Sequence, residues 1–262
     1  MHRPVVIVAL LLSACGDDAT TPPPPDAGPT GTPSIEGTPV GSFETSTCST
    51  AVVIELSKQI AEETDCLMPG QLVKFDVVAG LSIAGSAVLP YLGEDARADL
   101  YAAAAMATTP MQITSAFRTV VQQYLLQRWF ELGRCNITAA ADPGRSNHES
   151  GRAVDVSNYG AWITIMGTHG WAHDVPGDPV HFDHLASADL RGVDVLAFQR
   201  LWNRNAPDDQ IAEDSDFGPA TEARVKIAPA EGFGIGASCA GRRRFEVAPP
   251  DIAALSVGED AN

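Results

Sequence analysis

Ten residues, Ser146-Asn147-His148-Glu149-Ser150-Gly151-Arg152-Ala153-Val154-Asp155, set a histidine and an aspartate seven positions apart. That spacing does not suit one face of a helix. It suits a loop entering a strand, where Gly151 permits a tight backbone and Ala153 a close approach. Downstream, Asp178-Pro179-Val180-His181 supplies a second histidine with a carboxylate three residues before it. Two imidazoles and a carboxylate are the donor set of a catalytic zinc site, which holds the ion with three protein ligands and leaves the fourth position to water. Such an ion acidifies that water, and a nearby carboxylate or imidazole takes its proton. Taken singly, each residue has a plainer reading. A lone histidine is often a surface or core residue, and Asp155 between Val154 and Val156 could cap a strand end.

In combination the residues match a pattern: Ser-x-His-x-x-Gly-x-Ala-x-Asp, then an acid-x-x-His, with Pro143-Gly144 just ahead. Upstream, Ser115-Ala116-Phe117-Arg118-Thr119 is followed by Gln122. These motifs resemble the zinc D-alanyl-D-alanine carboxypeptidase and dipeptidase family and the related L-alanyl-D-glutamate endolysins, over roughly residues 89–185. The resemblance implies His148, Asp155 and His181 as zinc ligands, Asp178 as general base and Arg118 as the cation at the scissile carbonyl. It also implies Ser115, Ser146 and Gln122 as substrate-binding residues, Ser146 alternatively holding the metal loop. The D-Ala-D-Ala enzymes usually carry Glu where this chain has Asp178, whereas the endolysin branch uses Asp. The expected reaction is therefore hydrolysis of a peptidoglycan stem peptide, with D-alanyl-D-alanine carboxypeptidase first and L-alanyl-D-glutamate endopeptidase second. A reading from another class is a non-catalytic peptidoglycan-binding lipoprotein. Of the other histidines, His184 is expected to stand behind the site or apart from it, and His169 to be structural.

The elements that must position these residues read as α+β: a small antiparallel sheet with flanking helices holding the zinc site, plus a small C-terminal helical domain. Val52, Val53, Leu56 and Ile60 recur at helical steps within 51–63, and Glu94 to Ala107 is Ala- and Leu-rich. Met111–Thr114 reads as a strand, Thr119–Leu132 as a helix stopped by Gly133, Ala153–Ser157 as a strand and Ala161–Gly167 as a helix. A short strand surrounds His181. Val195, Leu196, Phe198, Leu201 and Trp202 form an amphipathic helix. With Phe217-Gly218-Pro219-Ala220-Thr221 and the stretch after it, that helix resembles a three-helix peptidoglycan-binding domain, although the usual Asp-Gly before Phe-Gly is Asp214-Ser215 here.

Bulk features set the surroundings. The 262 residues carry a net charge of −16, which argues against nucleic acid or an anionic membrane surface as partner. Met1-His2-Arg3, an apolar run from Val5 to Leu12 and Leu12-Ser13-Ala14-Cys15 make an export signal that resembles a lipobox, implying a lipid on Cys15. The expected layout is a signal peptide at 1–14, a Pro/Thr-rich disordered tether at 15–47, the peptidase domain at 48–186, the helical module at 187–235 and a tail at 236–262. Such a protein is an exported cell-envelope lipoprotein, anchored by lipid alone and monomeric. With Cys15 acylated, Cys48, Cys66, Cys135 and Cys239 suggest two disulfides, of which Cys48 with Cys66 is the most local pairing.

Overall fold

A computed structural model describes residues 31–106 and 109–239. The export signal, Cys15, the Pro22–Pro25 run and the tail from residue 240 lie outside the described residues. The elements run β1 (Leu72–Lys74), β2 (Leu81–Ile83), β3 (Tyr91–Gly93), β4 (Met111–Ser115), β5 (Ala153–Val156) and β6 (His181–Asp183). Six α-helices are interspersed: α1 (Ile54–Leu67), α2 (Glu94–Ala104), α3 (Val120–Glu131), α4 (Ile163–Thr168), α5 (Val193–Asn205) and α6 (Pro219–Ile227). The expected α+β class holds. The main sheet has the order β2-β4-β5-β6, antiparallel except for the parallel edge pair β2–β4, and β1 pairs with β3 in a separate antiparallel ribbon.

Two cores flank the site. Ile113, Val154, Val156 and Phe182 of the sheet are buried against Leu100, Trp162 and Met166 from the α2 and α4 side. On the other side, Leu56 and Ile60 of α1 pack with Val121, Tyr124 and Trp129 of α3 and with Phe198, Leu201 and Trp202 of α5. Helix α3 starts on a capping box in which Gln122 Oε1 accepts the Thr119 N–H at 3.3 Å. That cap, on the residue directly after Arg118, fixes where α3 begins.

Three features differ from expectation. The C-terminal helices are not a body apart, because α5 and α6 share one core with α1 and α3. The fully buried Glu63 of α1 receives two hydrogen bonds from Arg204 of α5, at 3.0 and 3.1 Å, and such a buried pair joins rather than separates two elements. Order also begins before Cys48: Val40 is fully buried, its N–H donates to Ala228 O at 3.0 Å, and Ala230 N–H donates to Thr38 O at 2.9 Å. One valine with backbone pairing anchors this stretch, which its polar, Pro-rich composition conceals. The disulfides are Cys48–Cys135 and Cys66–Cys239, in place of the local Cys48–Cys66 pairing. They tie the segment before α1 to the end of α3, and α1 to the C-terminal segment.

Gly80, just ahead of β2, packs against the end of α2. Its φ is +84°, and a Cβ there would lie 2.1 Å from the Ala104 backbone carbonyl oxygen at the end of α2. Gly80→Ala is therefore expected to destabilise the protein by about 2 kcal/mol or more, since left-handed strain adds to a collision with rigid backbone. Thermal melting should show a fall in Tm of about 4–8 °C.

Candidate metal centre

The sheet register assembles the site. Asp155 on β5 is opposite Ser115 on β4 and opposite His181 on β6, so the three side chains stand in a row on one face. His148 comes from the loop ahead of β5, whose carbonyl accepts the Arg118 N–H at 3.2 Å. Gly151, at φ +71°, turns that loop back so that its carbonyl accepts the Gly93 N–H at 2.8 Å.

His148 Nε2 lies 3.2 Å from His181 Nδ1 and 3.2 Å from Asp155 Oδ1, and His181 Nδ1 lies 3.3 Å from Asp155 Oδ1. This is a nearly equilateral triangle of donors. A tetrahedron with ligands about 2.0–2.1 Å from its centre has edges of about 3.3–3.4 Å, the spacing of a zinc site with its fourth corner free. The outer ring nitrogens are already committed. His148 Nδ1 is 2.8 Å from the Ala116 carbonyl oxygen, which only an N–H can satisfy, and His181 Nε2 is 2.9 Å from Asp183 Oδ1. In neutral rings both inner nitrogens then carry lone pairs, and both face a carboxylate oxygen. Three converging lone pairs require a cation or a proton among them. The residues fit a divalent metal ion.

Without metal, the proton fills that role. Burial pulls the His181 imidazole down, but its hydrogen bonds to Asp155 and Asp183 outweigh this and hold it at about 9. Burial and the Arg118 charge push His148 below its usual value. Burial pushes Asp155 up, yet His148, His181 and Arg118 together keep it well below the usual carboxylate range. A metal ion bound at neutral pH must displace the His181 proton. Zinc uptake is therefore expected to release about one proton, and zinc affinity to rise roughly tenfold per pH unit before levelling off above about 9. Calorimetry in buffers of different ionisation enthalpy checks this; uptake without proton release would count against these ligand atoms.

Around the triangle, Arg118 Nη1 donates to Gln123 Oε1 at 3.0 Å and Nη2 donates to Ser115 Oγ at 3.1 Å. Nη2 also lies 3.5 Å from Asp155 Oδ2, the oxygen turned away from the donor triangle. Burial pushes the Arg118 guanidinium down, while Asp155, Glu149 and Asp178 hold it up. Asp178 is half-buried in a turn in which its carbonyl accepts the His181 N–H at 3.3 Å. Ser146 Oγ accepts the His148 N–H at 3.3 Å, so this side chain braces the metal loop. Gln122 is not brought to the site. It is 2% exposed, caps α3 and donates to Ala87 O at 2.9 Å, because its place in the helix points it the other way.

Several residues at the site had no role in the sequence reading. Gln123, next to Gln122, holds Arg118 and donates to Ala141 O at 2.7 Å. Asp183 accepts from His181 and, at 2.9 Å, from Asn147, linking the metal loop to β6. Its position two residues after His181 was the available signal. Glu149 is fully buried and accepts the Gly144 and Ser146 N–H groups at 2.7 and 2.9 Å; burial raises its carboxyl to about 7. His184, which the sequence reading set behind the site or apart from it, contacts Ser187 Oγ at 2.8 Å and Asp99 Oδ2 at 2.9 Å, clamping α2 rather than joining the triangle.

Fold and donor geometry define the class: an α+β scaffold presenting a candidate His/Asp/His metal centre on a sheet face. Residues 93–170 match the family model VanY, D-alanyl-D-alanine carboxypeptidase, which points to a peptidase acting on peptidoglycan. The matched stretch contains Arg118, His148 and Asp155 and ends before Asp178 and His181. No curated protein matches the chain.

Proposed function

We propose that the protein is a zinc peptidase that removes the terminal D-alanine from peptidoglycan stem peptides. The observation that carries this reading is the donor triangle with Arg118 beside it, on a stretch similar to D-alanyl-D-alanine carboxypeptidases. Zinc, when bound by His148, Asp155 and His181, supplies acidity to a water and a Lewis-acid contact for the scissile carbonyl. Asp178 takes the proton of the attacking water and returns it to the leaving amine. Arg118, oriented by Gln123 and Ser115, binds the carbonyl oxygen as negative charge develops on it. Asp183 holds the His181 ring, and Ser146 and Glu149 hold the loop that carries His148.

A second reading, L-alanyl-D-glutamate endopeptidase, is favoured by Asp178, since that branch carries Asp at this position. Digestion of purified pentapeptide muropeptides, with products identified by mass, separates the two. Free D-alanine supports the carboxypeptidase, and cleavage beside the sugar-linked L-alanine supports the endopeptidase. A zinc-loaded protein that cuts neither leaves the wall-binding lipoprotein as the better reading.

The setting we infer is the cell envelope, with a lipid on Cys15 as the anchor and the chain acting as a monomer. No helix among the described residues is long and apolar enough to cross a membrane. Wall binding by residues 187–235 would use helices that also complete the core beneath α3.

A further inference from the structure

The backbone of Asp178 is held in its turn by two long hydrogen bonds, its N–H donating to Val175 O and its carbonyl accepting the His181 N–H, each at 3.3 Å. The loop leaves the sheet after Ala172, which exchanges backbone hydrogen bonds with Asp183 at 2.7 and 2.9 Å, and it returns at Val180, whose carbonyl accepts the Val156 N–H at 2.8 Å. Asp174, Val175, Pro176 and Gly177 are all exposed. The Asp178 carboxylate has no side-chain hydrogen bond of its own among the described residues, so the backbone around it sets its place, and a misplacement of about 1 Å can cost two orders of magnitude in rate.

One side chain crosses the loop. His173 Nε2 lies 2.7 Å from the Pro179 carbonyl oxygen, next to Asp178 in the chain. It is the side-chain hydrogen bond that reaches the 174–180 backbone among the described residues. The acceptor is a carbonyl, so Nε2 must carry the proton. Two aromatic rings also pack against the imidazole. Tyr159 stacks on it, with centroids 5.8 Å apart and planes at 18°, and the buried Phe182 packs on it at 4.7 Å with planes tilted by 40°. Phe182 is the neighbour of His181 on β6, and Tyr159 follows β5. The imidazole is thus braced against the two strands that carry Asp155 and His181, and it passes that rigidity to the loop.

We propose that His173 is a positioning residue for the general base, setting Asp178 relative to the metal ligands through its hydrogen bond to Pro179. This rests on Asp178 being the base, as argued above. The test uses the full zinc-loaded chain and pentapeptide muropeptide as substrate. His173→Phe keeps an aromatic ring against Tyr159 and Phe182 and removes the donor. It is expected to lower kcat about tenfold or more, with KM within about twofold and zinc content unchanged. His173→Gln, whose amide N–H reaches a similar place, should recover most of that loss.

Wild-type kcat in His173→Phe, beside an Asp178→Asn variant that has collapsed, overturns the inference and leaves the base assignment standing. Full activity in Asp178→Asn instead removes the base assignment, and this inference with it. Should His173→Phe fail to fold, nitrogen NMR of the wild-type histidines decides. A proton on Nε2 in slow exchange supports the brace, and a ring with its proton on Nδ1 alone overturns it.

Discussion

Replacing Asp178 with asparagine is expected to lower kcat by about 10²- to 10⁴-fold while zinc content and KM stay near their original values. The separation follows from geometry. The three donors lie within 4.8 Å of one another and do not include Asp178, so the substitution does not subtract a ligand. The Asp178 side chain makes no hydrogen bond among the described residues, and asparagine has the same size. The loop should therefore keep its shape through the backbone bonds at Val175 and His181 and the His173 brace. What asparagine cannot do is accept a proton from water and hand it to an amine. Steady-state kinetics alongside metal analysis checks the point. Parallel loss of zinc and activity would recast Asp178 as a ligand, and retained activity would remove it from the chemistry.

Much of this site could be read in the sequence because its parts are local. The seven-residue spacing from His148 to Asp155 is spanned by a loop and a strand whose glycine and alanine have specific steric jobs, and Ala153–Val156 is a strand as expected. His181 lies on a strand of its own. The parts that could not be read depend on direction or on distant partners. Gln122 and Gln123 are adjacent and chemically identical, and only the capping geometry at Thr119 decides which one turns toward Arg118. β1, β2 and β3 have three residues each, too few to express a period of two. The partners of Cys48 and Cys66 lie 87 and 173 residues away, and no local pattern carries that information. The C-terminal helices show an apolar face but not what covers it. The answer is α1, through Leu56, Ile60 and the Glu63–Arg204 pair.

Removing the Arg118 guanidinium tests the other half of the chemistry. Arg118→Ala is expected to lower kcat/KM by about 10²- to 10³-fold, the usual cost of deleting one preorganised donor to a developing oxyanion. Arg118→Lys should recover little of this. A lysine carries one donor head, whereas Arg118 contacts Gln123 Oε1, Ser115 Oγ and Asp155 Oδ2 through a planar fork. The contact with Asp155 raises a competing explanation. Without Arg118, Asp155 loses a cation that helps keep it ionised, so the metal site itself could weaken. The two effects separate under titration. If Arg118 acts on the substrate carbonyl, excess zinc fills the site and kcat/KM stays low. If it acts only by holding Asp155, activity returns as zinc is added. Because Oδ1 faces the donor triangle while Oδ2 faces Arg118, and His148 and His181 also hold Asp155 ionised, the first outcome is the expected one.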